Sequence, residues 1–398
     1  MSDTPDDPQS PPPSSPETNA AARRKVIKAE TEASADTNDA PAPPQNQDPA
    51  PPPEAPSNIP AAAEDAPPAA LPNMAIDFED IRAAYRRIKD KIVRTPLVEH
   101  PLLNSLAQGR VLMKLEMMQP TGSFKIRGAC NRLLQLTDEE KQRGVMAWSS
   151  GNHAQAIALV ARMVGTKATI VMPHDAPTCK MKGARQAGAE IIIYHRRTED
   201  REAIGRKLAA ERQSVLVPSF DDPHIIAGQG TCGFEIAQDL HTRDLTPDQT
   251  LVPASGGGLA AGIAVAMKTA WPEMGLHTVE PEGFADIKAS LVSGRREHAD
   301  LENETLCDAL MAPQVGSLTW PILHHYAGPG LAVSDAEAKA AMQFAFKELK
   351  LVLEPGGAVA LAAILSRKLP TQGKTTVIVL SGGNLNADFF GKVIAAGA

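Results

Sequence analysis

Short apolar runs, rich in β-branched residues, alternate with amphipathic stretches throughout residues 74–398. The runs predict β-strands, and the stretches, which repeat apolar positions every three or four residues, predict helices. Regular alternation of strand and helix favours an α/β fold in which helices cover both faces of a parallel sheet. The predicted strands are 111–116, 144–149, 168–172, 190–194, 215–217, 250–253, 277–279 and 375–380.

Residue types that begin or end helices support several boundaries. Pro177, Asp335 and Glu337 lie near expected helix starts, and Gly165 and Gly188 lie near expected ends. Because this part of the chain has about 325 residues, more than one comfortable hydrophobic core, we expect two packed lobes. The predicted helices are 129–136, 154–164, 198–212, 225–240 and 260–269.

The first 73 residues differ in composition from the rest of the chain. They contain 18 of the 34 prolines, 12 acidic and 4 basic residues, and no aromatic residue. Such a segment buries too little apolar surface to offset the entropy lost on ordering, so we expect a disordered tail over residues 1–73. The tail carries a net charge of −8 and the remainder +1, so the body gives no electrostatic argument for binding nucleic acid or an anionic membrane.

The sequence contains neither a membrane-span pattern nor a secretory signal. No run approaches the roughly 18 to 20 apolar residues that a span requires, and the acidic tail lacks the apolar core of a signal peptide. The four cysteines are far apart without CxxC spacing, which is typical of buried thiols in an intracellular protein. We therefore expect a cytoplasmic protein.

Lys125 stands between a turn of small residues, 121–123, and an expected helix. Backbone N–H groups at a helix start attract anions, so a lysine in this place is well positioned to meet a ligand. Alone this is a weak signal, because most lysines at helix starts are solvated.

Five segments in a fixed order make the signal stronger. Together they resemble the fold type II (tryptophan synthase β-like) pyridoxal-phosphate (PLP) enzymes, in particular the threonine/serine dehydratase and serine racemase branch. The resemblance covers roughly residues 76–398. The segments are 121–129 (TGSFKIRGA), 149–153 (SSGNH), 227–231 (AGQGT), 255–259 (SGGGL) and 381–384 (SGGN).

This resemblance implies a particular architecture. Two parallel-sheet α/β domains hold the cofactor in the cleft between them. Residues 144–220 form a small domain inserted into a large one made of 74–143 and 221–398. A homodimer or higher homo-oligomer is also implied.

By the same resemblance, Lys125 is the Schiff-base lysine, which bonds to the cofactor aldehyde and later acts as a base on the substrate. Phe124 packs beside the cofactor ring, unless it is simply a core residue. Ser381 faces the pyridine nitrogen. A serine in that position leaves the nitrogen unprotonated, which favours β-elimination over transamination.

Gly256, Gly257 and Gly258 follow the apolar run 250–253 and precede an alanine-rich helix. Glycines allow backbone N–H groups to close on a phosphate, and the helix dipole adds attraction. The nucleotide-binding patterns GxGxxG and GxxxxGK[ST] are absent, and Leu259 stands where the lysine of the latter would be needed. We therefore expect residues 256–259 to bind the cofactor phosphate.

The segment Ser149, Ser150, Gly151, Asn152 and His153 follows a predicted strand and starts a helix, a place that suits a carboxylate. By the resemblance, the segment binds the substrate carboxylate, and Asn152 contacts the 3′-oxygen of the cofactor. His153 is either a ligand contact or a structural residue. Ser150 resembles serine racemases, where it is the acid/base opposite the lysine, whereas many threonine dehydratases have alanine there.

Phe220 instead favours a dehydratase. At this position the chain resembles dehydratases, whereas racemases often have asparagine. The segment 307–316 departs from the usual "ADG" pattern of the family at Ala309, so the sequence leaves the substrate side chain open.

Glu280, Phe284 and Asp286 follow the predicted strand 277–279. Two carboxylates six residues apart, with a carbonyl between them, suit a hard divalent cation. Metal-bearing members of the family have ligands at these positions, which implies Mg²⁺ or Ca²⁺. The alternative is two solvated acids.

The sequence thus predicts a PLP-dependent lyase that converts a small 3-hydroxy amino acid, similar to threonine or serine, to a 2-oxo acid and ammonia. Alternatives are an isomerase similar to serine racemase, and a dehydratase for hydroxyaspartate or a hydroxyectoine-derived substrate. A catalytically silent PLP-binding protein is a further alternative, against which the intact Lys125 argues. No ACT-like segment follows Ala398, so we expect no allosteric feedback of the kind found in long biosynthetic deaminases.

Overall fold

The computed structural model describes residues 74–396, so the predicted tail over residues 1–73 lies outside the described residues. The described part is an α/β structure with parallel sheets, which confirms the predicted fold class. Its strands are β1 Leu97–Glu99, β2 Arg110–Leu115, β3 Val145–Trp148, β4 Ala168–Pro173, β5 Glu190–Tyr194, β6 Val215–Leu216, β7 Gln249–Pro253, β8 Gly275–Pro281, β9 Leu331–Val333 and β10 Thr375–Leu380.

The strands form two sheets. The six-stranded sheet has the order β1-β2-β10-β7-β8-β9 and is parallel except for β1, which pairs antiparallel with β2. The four-stranded sheet has the order β5-β4-β3-β6 and is parallel throughout. All strands of the smaller sheet come from residues 145–216, between β2 and β7 of the larger one.

Helices connect the strands and cover the sheets. Three of them begin with a capping box, as at Ser334 and Glu337, where each side chain accepts a hydrogen bond from the other residue's backbone N–H. The helices are α1 Phe78–Ile88, α2 Pro101–Ala107, α3 Lys125–Leu133, α4 Asp138–Arg143, α5 Asn152–Val164, α6 Thr178–Gln186, α7 Arg201–Arg212, α8 Pro223–Thr242, α9 Gly258–Ala270, α10 Asp286–Ser293, α11 Thr319–Tyr326, α12 Asp335–Lys347, α13 Pro355–Leu365 and α14 Ala387–Ala395, with short 3₁₀ turns at Glu116–Met118, Glu282–Phe284 and Asp308–Leu310.

The central strand β10 shows how the larger sheet is buried. Val377 and Val379 belong to one hydrophobic cluster, and Ile378 and Leu380 belong to another. Because successive side chains of a strand point to opposite faces, helices must cover both faces of this sheet. No helix among residues 74–396 is long and apolar enough to cross a membrane.

The core beneath the smaller sheet includes side chains from α3, among them Ile126 and Leu133, together with α5. Helix α3 also packs closely on α8, because a Cβ on Gly228 would lie 2.6 Å from the Cα of Gly128. Gln229 accepts a hydrogen bond from the Gly128 N–H at 3.2 Å. The predicted motif 227–231 therefore lies inside α8, where it supports the helix that begins at Lys125.

Four charged side chains are buried at the junction of β2, α3 and α8. Arg127 donates to both carboxylate oxygens of Glu116 (2.8 and 2.7 Å) and of Glu235 (2.9 and 2.7 Å). Lys114 donates to Glu235 at 2.7 Å. Burial acts to raise the pKa of Glu235, but Arg127 and Lys114 lower it to about 2. These two cations and two anions, named here the buried ion cluster, neutralise one another.

Candidate active site

A cavity of about 430 Å³ is lined by segments that follow strands of both sheets. These segments come directly after β3, β6, β7 and β10, so the cavity lies at the carboxyl ends of the strands, where α/β proteins bind ligands. The cavity brings together every predicted cofactor- and substrate-binding residue: Phe124, Lys125, Ser149, Ser150, Gly151, Asn152, His153, Gly256, Gly257, Gly258, Leu259 and Ser381.

Lys125 is the first residue of α3, although the sequence predicted a helix only from residue 129. The difference arises because the Phe124 N–H donates to the Ser381 carbonyl at 3.1 Å, which fixes the chain just before the helix. The Lys125 Nζ donates to the Ser219 carbonyl at 2.8 Å. Burial lowers the pKa of Lys125 to about 8, so its amine is readily available as a neutral nucleophile or base.

The glycine segment lies between β7 and α9. Gly257 has φ +91°, in the left-handed region that favours glycine, and α9 begins after it without a side-chain cap. A Cβ on Gly256 would lie 2.3 Å from the ring of Phe220. The first N–H groups of α9 are thus held beside the cavity without a capping side chain, an arrangement that suits a phosphate.

The segment 149–153 joins β3 to α5. The Ser149 hydroxyl accepts from the Gly151 N–H at 3.1 Å, which closes the turn. His153 is buried, with its Nε2 3.0 Å from the Val217 carbonyl. Burial, with a smaller contribution from nearby Lys125, lowers the pKa of His153 to about 3. His153 is therefore neutral at ordinary pH.

Asn152 belongs to a hydrogen-bonded chain that sequence reasoning did not find. Its Nδ2 donates to Glu354 Oε1, and its Oδ1 accepts from Asn384 Nδ2 at 2.9 Å. These two partners fix which end of the amide is which, since a carboxylate oxygen accepts and an amide nitrogen donates. One N–H of Asn152 remains for a ligand in the cavity.

Lys180 completes this chain. It is fully buried, and its Nζ lies 2.8 Å from Asp308 and 2.9 Å from Glu354. Burial acts to lower the pKa of Lys180, but the two carboxylates raise it above its ordinary value. The ion pairs connect α6, beside the smaller sheet, to residues beside the larger one.

Lys180 and Glu354 stand in no predicted motif, Asp308 belongs to the segment 307–316 without a predicted role, and the two acids are 128 and 174 positions from the lysine. Charged residues that are so far apart are normally interpreted as solvated. The Pro-Gly-Gly that follows Glu354 and opens α13 was the available signal, because it marks a close backbone approach.

The predicted metal residues lie outside this cavity. Glu280 is buried, and its two oxygens accept from the N–H groups of Ile287 and Lys288 at 3.0 and 2.8 Å. Asp286 is also buried, and neither of its carboxylate oxygens has a well-formed hydrogen bond among residues 74–396, although the nearby backbone of Asp286 and Val315 favours the charged form. Burial raises the pKa of Asp286 to about 7.

Phe284, between these two acids, is buried at 1 % exposure. Residues 74–396 contain no cluster of three or more histidine, cysteine, aspartate or glutamate side chains that would hold a metal. Glu280 and Asp286 thus form a pair of buried acids rather than a complete ligand set of side chains.

Comparison with known proteins adds independent information. The sequence model of the family described as "Pyridoxal-phosphate dependent enzyme" matches residues 88–382. The chain is 39% identical over 322 residues to an L-threonine ammonia-lyase of Thermotoga maritima, covering 81% of this chain and 79% of that protein. It is 39% identical over 318 residues to an L-threo-3-hydroxyaspartate ammonia-lyase of Saccharomyces cerevisiae, covering 80% and 96%. The structure of maize serine racemase is similar with a TM-score of 0.75 and 33% identity, covering 81% of this chain and 98% of that one.

Proposed function

The chain belongs to the pyridoxal-phosphate dependent enzymes, and from that premise we propose that it is an ammonia-lyase for a 3-hydroxy amino acid. Its reaction is α,β-elimination of water, followed by release of a 2-oxo acid and ammonia. The observation that carries this proposal is the position of Lys125, whose amine shares one cavity with an uncapped glycine segment and a carboxylate-binding segment.

The residues of the cavity fit PLP. The N–H groups of Gly256, Gly257, Gly258 and Leu259 would hold the phosphate. Among residues 74–396, no side chain caps the start of α9 in the phosphate's stead. Asn152 would donate to the 3′-oxygen, Ser381 would face the ring nitrogen, and Phe124 would lie beside the ring. When bound, PLP supplies an electron-withdrawing system that stabilises negative charge at the substrate Cα.

The chain itself binds the substrate and moves protons. The Ser150 N–H, the hydroxyls of Ser149 and Ser150 and the start of α5 bind the substrate carboxylate, helped by the helix dipole, because the N–H groups of Ser149 and Gly151 already donate to the Val171 carbonyl and to the Ser149 hydroxyl. The Lys125 amine removes the proton from Cα, a role that its pKa of about 8 makes possible near neutral pH. Neutral His153 supports the segment without placing a second positive charge beside that amine.

The direct test combines product analysis with labelling. The PLP-loaded enzyme should convert L-serine, L-threonine or an isomer of 3-hydroxyaspartate to a 2-oxo acid and ammonia in equal amounts. Borohydride reduction should attach the cofactor to the peptide that contains Lys125, and Lys125→Ala should abolish both turnover and attachment. Attachment to another lysine would contradict the proposed role of Lys125.

A second candidate function is racemisation of the amino acid. It is favoured by Ser150, whose side chain lines the same cavity as Lys125, and by the similarity to maize serine racemase. Racemisation requires a second acid/base within hydrogen-bond reach of Cα. If Ser150 has this role, Ser150→Ala should abolish racemisation and reduce turnover of one isomer far more than the other. Equal losses for both isomers would assign Ser150 to carboxylate binding alone.

We also propose that Glu280 and Asp286 bind Mg²⁺ or Ca²⁺, with backbone carbonyls and water as the other ligands. Support comes from the two unpartnered oxygens of Asp286, since a buried acid without partners needs a proton or a cation. A cytoplasmic homodimer or higher homo-oligomer completes the proposal. Light scattering of the purified chain tests the oligomeric state.

A further inference from the structure

The lining of the active-site cavity carries four arginines, and one of them differs from the rest. Arg201 has neither a hydrogen-bond nor an ion-pair partner for its guanidinium among residues 74–396. The other three have partners: Arg196 with Asp175 at 2.8 Å, Arg206 with Glu202 at 3.4 Å, and Arg296 with the Val315 carbonyl at 2.9 and 2.6 Å.

The acids in the same lining are engaged elsewhere. The side chain of Asp221 accepts from the N–H groups of Ser317 and Leu318 at 2.9 and 2.8 Å. Asp308 and Glu354 pair with Lys180, and Glu202 lies against Arg206. Among residues 74–396, therefore, no acid of the cavity lining forms an ion pair with Arg201.

The helix that carries Arg201 is fixed against the substrate-binding segment. A Cβ on Gly205 would lie 2.6 Å from the ring of Trp148, so α7 packs directly on the residue that precedes Ser149. Arg201 and Gly205 are four residues apart and hence on the same face of α7. The guanidinium of Arg206 lies 5.5 Å from the centroid of the same ring, which fixes the helix further. Arg201 is therefore on the side of α7 that faces the end of β3.

The placement of Arg201 leaves its guanidinium available to an anion in the cavity. It is the first residue of α7, where the helix dipole disfavours a positive charge and where the Asp200 side chain caps the helix by accepting from the Glu202 and Ala203 N–H groups. It is also partly buried, so water screens it less than a surface arginine. An anion bound in the cavity would relieve both effects.

We propose that Arg201 binds a second carboxylate on the substrate, so that the preferred substrate is a 3-hydroxy amino dicarboxylate such as 3-hydroxyaspartate rather than serine or threonine. This inference rests on the proposed lyase function. One carboxylate occupies the segment 149–153, and the other needs its own cation. Arginine suits this role because its planar guanidinium binds a carboxylate through two parallel hydrogen bonds. The similarity to an L-threo-3-hydroxyaspartate ammonia-lyase agrees with this chemistry.

The reaction balances without another reactant. The Cα–H and Cβ–OH bonds break, and the hydrogen and hydroxyl leave as one water. Hydrolysis of the resulting enamine, as its imine tautomer, consumes one water and releases one ammonia. 3-Hydroxyaspartate thus gives oxaloacetate and ammonia, with no net oxidation.

The test compares specificity in the PLP-loaded enzyme. The wild type should have a higher kcat/KM for threo-3-hydroxyaspartate than for L-serine or L-threonine. Arg201→Ala should lower kcat/KM for 3-hydroxyaspartate by about 10- to 100-fold, the size expected for a charge-assisted pair, with less than about threefold change for L-serine. Arg201→Lys should recover part of the loss. Arg197→Ala is the matched control, because Arg197 is exposed and lies outside the cavity lining.

Inhibition by succinate and butyrate, which differ by one carboxylate, gives a second measurement. Succinate should bind more tightly than butyrate to the wild type, and the difference should disappear in Arg201→Ala. Equal losses of kcat/KM on both substrates, or a wild type that prefers serine, would overturn this inference and leave the lyase function standing. If no hydroxy amino acid gives an oxo acid, the lyase function fails, and the succinate–butyrate comparison still decides whether Arg201 binds a carboxylate.

Discussion

The buried ion cluster and the acid pair Glu280–Asp286 place carboxylates at similar depth but treat them in opposite ways. Arg127 and Lys114 neutralise Glu116 and Glu235, and the pKa of Glu235 falls to about 2. Among residues 74–396 neither acid of the pair forms an ion pair, so burial raises the pKa of Asp286 to about 7 and that of Glu280 well above its ordinary value, against a small opposing effect of Lys288 on Glu280. Full burial of a charge requires a partner.

The two groups of charges therefore differ in role: the buried ion cluster supports the fold, and the acid pair is open to a proton or a cation. The buried ion cluster is complete within the protein and holds β2, α3 and α8 together under Lys125. The acid pair lacks a neutralising group of its own, so its charge depends on the pH and on the cations in solution. Two kinds of experiment test this difference. One removes a charge from the buried ion cluster, and the other supplies a cation to the acid pair.

The largest effect should come from Arg127→Met. Both Glu116 and Glu235 then lose their main partner while they remain buried, and breaking a buried ion pair costs about 3–5 kcal/mol. We expect that loss in the free energy of unfolding, measured by urea denaturation. Because Glu116→Gln/Arg127→Met removes one charge of each sign, it should recover part of the loss. A double variant as unstable as the sum of both changes would show that charge balance does not explain the cluster.

A smaller effect should follow from adding Mg²⁺ or Ca²⁺ to the wild type. A cation that binds only the folded state raises the free energy of unfolding by about 2.7 kcal/mol at a hundredfold excess over its Kd. Asp286→Asn should abolish this response and be no less stable than the wild type in EDTA, since it removes a buried acid without a partner. Thermal unfolding with EDTA and then with excess cation measures both. Unchanged wild-type curves would favour a protonated acid pair without metal.

His153 is a third case of a buried titratable group: this base avoids the cost of burying a charge by staying neutral. Its pKa is about 3 in the folded protein, against an ordinary value of 6.5. The unfolded chain therefore binds a proton as the pH falls below 6.5, and the folded protein does not until about pH 3. Stability should fall with decreasing pH in that window, by about 1 kcal/mol between pH 6.5 and 5.5.

His153→Gln should remove that part of the pH dependence while keeping a side-chain N–H donor for the Val217 carbonyl. The measurement is the difference in unfolding free energy between pH 6.5 and 5.5 in variant and wild type. Parallel pH profiles would show that His153 does not titrate differently in the two states.

The smallest effect should come from Arg212→Met. Arg212 pairs with Glu190, but the side chains are 40 and 50 % exposed, so water already solvates both charges. Exposed pairs contribute about 0–1 kcal/mol. A loss comparable to that of Arg127→Met would mean that burial is not what separates the two pairs.

The sequence predicted the strands that are long and apolar. The ranges 190–194 and 375–380 match the structure at both ends, and the other predicted strands differ by one or two residues. Strands β1 and β9 were not predicted, because they are the short edge strands of the larger sheet and each buries only one residue, which leaves a weak apolar pattern. The helix at Lys125 was predicted to start four residues late, because its start depends on a hydrogen bond to Ser381, more than 250 residues away.

The candidate site was predictable as far as its motifs extend. Four of the five motifs follow strands, whose carboxyl ends meet at the cavity, whereas 227–231 lies inside α8 and supports α3 from behind. Lys180, Glu354 and Arg201 lie outside the motifs. Each is a charged residue whose role depends on which other charged residues the fold places next to it. Local pattern contains no information about that pairing.

The position of β10 between β2 and β7 has a consequence for synthesis of the protein. Met113 of β2 pairs with Ile378, so the larger sheet lacks a central strand until residues 375–380 have left the ribosome. Until residues 375–380 have been synthesised, β2 and β7 both present unpaired edges, and exposed edges of apolar strands are sites of aggregation. A chain cut short before residue 375 would keep those edges permanently. The smaller sheet, completed from residues 145–216, has no such dependence and is able to form before β10 is made.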